Sequence, residues 1–386
     1  MSIGREIGIT RPNVEVTEMV EFRSNGTLTR REVLYGSVGL GAGFSVLRAG
    51  GALAEDVWKV AWVQVGPVGD AGWTYQQDLA RREVEKQLSW VKTMQVESVS
   101  PSDMQRVIED LISQGAKVLM VQEPTVMDLV IELGRKYPDR YFLVANAFKS
   151  GPNVGGFYAH MEEPYYLSGL VAGKMTKSNI IGFVGPFPVP TIIQAIDGFA
   201  LGVKGTNPTA KVHLVWTQNW YNPPQERAAA QSLINVGADV LAQYCDSPTV
   251  SQTAEAAGKW AVGSNSDLSQ FAPKAYLTGH IWHWTDLFVK ILTEIHNGTW
   301  KPGTQWGNLA DGTVLLGPLN KAIPADVVSM VEKTKDQIAR GQVRIFTGPI
   351  IDNTGKEQLA AGTSRPESEL TGQTWLVDNI EGTIPR

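Results

Sequence analysis

Carboxamides and carboxylates set beside indoles, where predicted β-strands end, are the side chains of this 386-residue chain best placed to do chemistry. The richest group is Gly69-Asp70-Ala71-Gly72-Trp73-Thr74-Tyr75-Gln76-Gln77, which puts a carboxylate and an indole at the opening of a helix. Gln122 and Glu123 close one apolar run, Asn146 another, Asp246 a third and Asn265 a fourth, while Phe187 follows the run IIGFVG. Trp220 and Tyr221 stand together in Thr217-Gln218-Asn219-Trp220-Tyr221-Asn222. Flat aromatic faces grip a planar or apolar ligand surface and short polar groups orient it, which is the chemistry of binding. Competing readings stay open: Trp73 and Trp220 as core residues, Tyr221 as the stacking ring in place of Trp220, Asp70 and Asp267 as helix caps, and Gln122 and Glu123 as an exposed strand end.

Turnover needs a nucleophile with its base, a metal-ligand cluster or a cofactor fingerprint, and none is present as a motif. The histidines are His160, His213, His280, His283 and His296; His280 and His283 lie three apart without the Glu and third ligand of a zinc helix. Gly66-Pro67-Val68-Gly69 lacks the spacing that places a helix N-terminus against a pyrophosphate, and no G-x-S-x-G elbow occurs. No cofactor and no metal are expected, and the chain reads as a binder without an enzymatic activity.

The elements that must position these groups alternate strand and helix. WKVAWVQVG is a strand and GDAGWTYQQDLARREVEKQL a turn and helix; VKTMQVESV, AKVLMVQE and RYFLVAN are strands separated by the helices DMQRVIEDLISQG and TVMDLVIELGRKYP. After Glu162 the alternation restarts with helix YYLSGLVAGKMTK and runs through strands NIIGFVGPF, KVHLVWTQ, ADVLAQYC and KWAVGSNSD, before an apolar helix, WTDLFVKILTEIHNG, crosses back. This spacing predicts an α/β fold of two lobes, each a parallel sheet flanked by helices, joined by a hinge over a cleft. Residues 57–161 with about 280–310 form the N-terminal lobe, 162–279 with about 311–350 the C-terminal lobe, and 351–386 a tail packing on both. Such sheets bind ligands at the carboxyl ends of their strands.

Where the protein works is read from Thr29 to Ala54. Arg30 and Arg31 precede a weakly apolar, Gly-rich run, and Ala52-Leu53-Ala54 supplies small residues for a signal peptidase. The run is about 12 to 15 residues, where spanning a membrane takes roughly 20. Residues 1–54 are therefore expected to be a twin-arginine signal, and the product a periplasmic protein. A net charge of −5 and a pI near 5.7 argue against a nucleic-acid partner. Cys245, the only cysteine, rules out an internal disulfide or thiolate cluster and reads as a buried thiol.

Several motifs in order resemble the basic membrane protein family of ABC-transporter substrate-binding proteins, the purine nucleoside receptor group. They are the turn at Gly69–Gln77, Tyr137-Pro138-Asp139 with RYFLVAN, His160-Met161-Glu162, IIGFVGPFPVP, Asp197-Gly198-Phe199, GVKGTNP, GADVLAQ, GSNSD and GQTWLVDNIEG, spread from Val57 to Gly382. The resemblance implies the type I periplasmic binding protein fold and a purine held between two aromatic rings, at positions matching Trp73 and Trp220. It also implies that Asn265 and Trp282 replace the family's ribose-binding Asp and Lys, with Trp282 filling the ribose space, and that Asn146 replaces an Asp.

From these departures the ligand expected is a free purine base, adenine first, since a carboxamide can both donate to and accept from an adenine edge. The partner expected is the membrane permease of an ABC importer, and the protein itself a monomer. A sugar or nucleoside receptor of the same fold is the alternative, ahead of a ligand-sensing receptor partner and a periplasmic hydrolase or oxidoreductase.

Overall fold

Trp58–Val63 (β1) buries Val60, Ala61, Trp62 and Val63 completely, and a run buried on both faces belongs at the centre of a parallel sheet. In the computed structural model, which describes residues 56–366 and 372–385, β1 pairs with Val91–Val96 (β2) on one side and Ala116–Val121 (β3) on the other. Tyr141–Ala145 (β4) and Val154–Ala159 (β5) extend the sheet beyond β3. The export signal read at residues 1–54 lies outside the described residues.

The second sheet is built from Ile180–Gly185 (β6), Lys211–Trp216 (β7), Val240–Gln243 (β8), Trp260–Gly263 (β9) and Tyr276–Trp282 (β10). The chain then returns to the first sheet, where Thr304–Gly307 (β11) pairs parallel to β5, and crosses again to place Val314–Leu316 (β12) antiparallel to β10. Ile350–Ile351 (β13) and Glu357–Leu359 (β14) form a short hairpin, and Ile380–Glu381 (β15) adds to the edge beside β7. The resulting orders are β11-β5-β4-β3-β1-β2 and β12-β10-β9-β8-β6-β7-β15. In both sheets the order reverses direction at the first strand of the lobe, between β1 and β3 and between β6 and β8, which opens a crevice at the strand ends.

The helices are Trp73–Gln87 (α1), Met104–Ser113 (α2), Met127–Lys136 (α3), Glu162–Met175 (α4), Pro190–Thr206 (α5), Pro223–Asn235 (α6), Thr249–Ala256 (α7), Thr285–His296 (α8) and Ala325–Ala339 (α9). α2 and α3 cover one face of the first sheet through Ile108, Leu111, Met127 and Val130. On its other face α1 and α8 meet, with Phe288 set 6.0 Å from Trp62 and 4.9 Å from Phe157 between ring centroids. α4 and α5 pack closely in the second lobe because Gly169 and Gly202 have no side chain. A Cβ on Gly169 would overlap the Phe199 carbonyl, and one on Gly202 the Tyr166 carbonyl.

Three crossings join the lobes and are bound to one another. His160 N–H donates to the Gly307 carbonyl at 2.9 Å, and His283 N–H to that of Thr313 at 2.8 Å. The Glu163 carboxylate accepts from Leu309 N–H at 2.8 Å. The C-terminal segment is anchored on α5: Asp197, fully buried, accepts from Val377 N–H at 2.9 Å and from the Gln373 amide, and Trp216 Nε1 donates to the Thr383 carbonyl at 2.9 Å.

The strands β5 and β10 to β15 were not anticipated from the sequence, and two of them are core elements. β5, VGGFYA, hides behind two glycines, and β10, YLTGHIW, looks like a turn because Thr278, Gly279 and His280 interrupt it. All three are buried, so the strand is a core element with polar atoms inside.

Candidate functional site

Both sheet reversals open onto one cavity of about 610 Å³, with residues from the ends of β1, β3, β4, β6 and β8 in its wall. Its size falls within the usual range for small-molecule sites. Trp73, Gln122 and Asn146 line it from the first sheet, and Phe187, Trp220 and Asp246 from the second. Asn265, at the end of β9, completes this set of sequence-expected residues.

Trp73 is delivered by a tight turn: a 3-10 turn over Val68–Asp70, Ala71 in the left-handed region at φ 62°, then Gly72 as the residue capping α1. The side chain of Asp70 lies outside the described residues. The Trp73 ring is braced edge-on by Trp282 at 5.3 Å and Trp284 at 5.5 Å, with Tyr158 at 6.3 Å. Those contacts fix the ring in the cavity wall. On the opposite wall Trp220 sits 5.1 Å from Phe187, held in a loop that Asn222 ends by capping α6 through its side chain. Trp220 is 37% exposed and belongs to the wall, whereas Tyr221, 47% exposed, does not line the cavity. Of the two candidate stacking rings in this loop, the structure turns Trp220 inward.

Trp282 is also corrected. It is fully buried at the end of β10, behind the wall, stacked on Trp284 at 4.6 Å. It therefore does not occupy ligand space. Its indole Nε1 donates to Asn265 Oδ1 at 2.8 Å, and Asn265 Nδ2 donates to Asp246 Oδ1 at 2.8 Å. The carboxamide of Asn265, fully buried and at φ 65°, spends its polar atoms on protein partners. Asn146 is the other left-handed asparagine here, at φ 53°, and its Nδ2 donates across the cleft to Thr191 Oγ1 at 3.3 Å.

Gln122 is 3% exposed; its Oε1 accepts from Val65 N–H at 3.2 Å and Thr74 Oγ1 at 3.3 Å, while its Nε2 has no protein acceptor. A buried amide donor at a cavity wall is the kind of group a ligand acceptor satisfies. Glu123 uses one oxygen to cap the next turn through Thr125 N–H. Tyr158 and Tyr244 add two buried phenols; burial pushes Tyr158 up to about 12 and Tyr244 well above its ordinary value, so both are neutral donors. Sequence reading missed this pair, since Tyr158 lies in the unrecognised β5. Tyr244 was detectable only as the residue two before Asp246 at a strand end.

Among the lining residues the charged groups are Glu123 and Asp246, with no Lys, Arg or His. No group of three or more His, Cys, Asp or Glu that could hold a metal occurs among the described residues. His280, fully buried, is pushed down to about 3 by desolvation and stays neutral, while His283 is exposed. Cys245 is buried and its thiol is pushed up by desolvation. No helix among the described residues is long and apolar enough to cross a membrane.

Residues 57–346 match the family profile described as ABC transporter substrate-binding protein PnrA-like. A purine-binding protein of Brucella abortus is 34% identical over 347 residues, 89% of this chain and 98% of that one. A putative ABC transporter glucose-binding protein of Haloferax volcanii is 32% identical over 336 residues, covering 87% of this chain and 83% of its own. Among solved structures, an ABC transporter solute-binding protein from Conexibacter woesei superposes with a TM-score of 0.63 at 21% identity, over 75% of this chain and 98% of that one. This last likeness concerns the two-lobed fold.

Proposed function

Because this chain belongs to the PnrA-like family of ABC-transporter substrate-binding proteins, we propose that it captures a purine base, adenine first, between Trp73 and Trp220 outside the cytoplasm and presents it to a membrane permease. The observation that carries this reading is the pair of indoles, one from each lobe, in the wall of a single interlobe cavity. A planar heterocycle stacked on such faces gains about 1 to 3 kcal/mol per ring.

Three features of the wall support a base. Acidic groups without a cation disfavour a phosphate and suit a ligand rich in N–H donors. The unpartnered Gln122 Nε2 complements a ring nitrogen or carbonyl acceptor. Asn265, which stands where the family's ribose-binding carboxylate is expected, has its amide committed to Trp282 and Asp246 and offers little to a sugar hydroxyl. Exclusion of ribose thus rests on this occupied amide rather than on the bulk of Trp282. The similarity to a purine-binding protein points the same way.

A sugar is the second reading, favoured by the similarity to a putative glucose-binding protein. Indoles also stack on pyranose faces, and Asp246 and Asn146 can accept from hydroxyls. Titration calorimetry with adenine, adenosine and glucose decides between them: adenine is expected to bind most tightly. Tight binding of adenosine or glucose with no heat from adenine refutes the base assignment.

A further inference from the structure

Asp246 touches both aromatic walls at once. Its backbone N–H donates to the Trp220 carbonyl at 2.9 Å, and its carboxylate Oδ1 accepts from the Trp73 N–H at 3.3 Å, across the cleft. The carboxylate is aimed by the Trp282–Asn265 relay, and Trp282 in turn braces the Trp73 ring, so four residues close a loop of contacts around the first indole. α1 has no side-chain cap of its own and no acid in its first turn, so the acceptor for its leading N–H comes from the opposite lobe.

The approach is as close as backbone allows. A Cβ built on Gly72 would lie 2.6 Å from Asp246 Cβ and 2.6 Å from its carbonyl oxygen, well inside ordinary contact. Any side chain at Gly72 must therefore hold the walls apart by about 1 Å, the difference between that separation and normal van der Waals distance.

From this arrangement we infer that Gly72 and Asp246 form a stop that sets the width of the slot between Trp73 and Trp220 at closure, making them positioning residues that select a flat ligand over a thicker one. The inference deepens the purine reading and rests on it only for the choice of probe. Gly72 gives the stop its zero thickness, and Asp246 locks it once the walls meet. Other cross-cleft bonds, Gln76 Nε2 to Ser266 Oγ at 2.8 Å and Asn146 to Thr191, fasten the lobes without touching both indoles.

The test measures adenine and glucose binding by calorimetry for wild-type, Gly72→Ala, Asp246→Ala and Gln76→Ala proteins, with ligand-free melting as a folding control. Gly72→Ala is expected to weaken adenine at least tenfold and glucose much less, so that the ratio of affinities shifts toward the thicker ligand. Asp246→Ala is expected to weaken adenine and speed its release, and Gln76→Ala to change both ligands by a similar factor. An unchanged adenine affinity, or an equal loss for both ligands in Gly72→Ala, overturns the stop. If the wild-type protein binds neither probe, the purine reading fails. The stop is then decided by crystal structures of wild-type and Gly72→Ala proteins: a wider Trp73–Trp220 gap in the variant supports it, and an identical gap overturns it.

Discussion

Replacing Trp73 with alanine removes one wall of the cavity and a brace of the interior together, and the two losses are separable in magnitude. On the ligand side the stacking face accounts for about 1 to 3 kcal/mol, which corresponds to a dissociation constant for adenine raised roughly 5- to 150-fold. On the protein side, the edge contacts with Trp282 and Trp284 disappear. At about 0.5 to 1.5 kcal/mol each, they lower unfolding free energy by roughly 1 to 3 kcal/mol. Trp73→Phe keeps a smaller ring and should fall between alanine and wild type on both axes. Calorimetry well below the melting temperature reads the first quantity, and urea unfolding of ligand-free protein the second. A Trp73→Ala protein that folds and binds adenine with unchanged affinity refutes the stacking argument outright, whatever its stability.

Gln122→Leu deprives Val65 N–H and the Thr74 hydroxyl of their acceptor and removes the donor facing the cavity. Stability is expected to drop by about 1 to 3 kcal/mol and purine affinity by about tenfold, read by urea melts and calorimetry. Glu163, at the crossings, is pushed up to about 7, first by burial and then by neighbouring Glu162, against the pull of Leu309 N–H and His160, with Asp311 adding to the rise. Its protonated form is therefore favoured in the fold, so its stabilisation is complete below the ordinary carboxylate range and is lost as pH climbs through about 7. Melting temperature should fall across that window, and Glu163→Gln should flatten the profile; a Glu163→Gln profile identical to wild type would count against the assignment. Gly202→Ala drives a methyl into the Tyr166 carbonyl between α4 and α5. It should cost about 1 to 3 kcal/mol, measurable by thermal unfolding monitored by circular dichroism.

The alternation of strand and helix was legible because strands such as β1 and β3 are continuous apolar runs buried on both faces, a pattern that local sequence states directly. β5 and β10 were hidden for the converse reason: glycines, a threonine and a histidine are tolerated there only because the surrounding fold satisfies or excludes them. Strand-end position marked Gln122 and Asp246 as wall residues, and the family resemblance added Trp73 and Asn146. What both left out was orientation. Trp282 and Asn265 are adjacent to the cavity in chain order, but a hydrogen bond between them turns the indole inward and occupies the amide. Tyr221 and Trp220 are neighbours in one loop, and Trp220 is the one packed against Phe187.

The terminal ribbon Ile380–Glu381 occupies the rim of the second sheet against Lys211–Trp216, and the loop bearing Trp220 springs from the far end of that same strand. A change that displaces β15 is therefore expected to act at a distance. By peeling β15 away it bares an unpaired ladder open to intermolecular pairing and loosens the mount of one jaw, so a capture assay run on a C-terminally modified protein reports the integrity of that seam as much as the chemistry of the cleft.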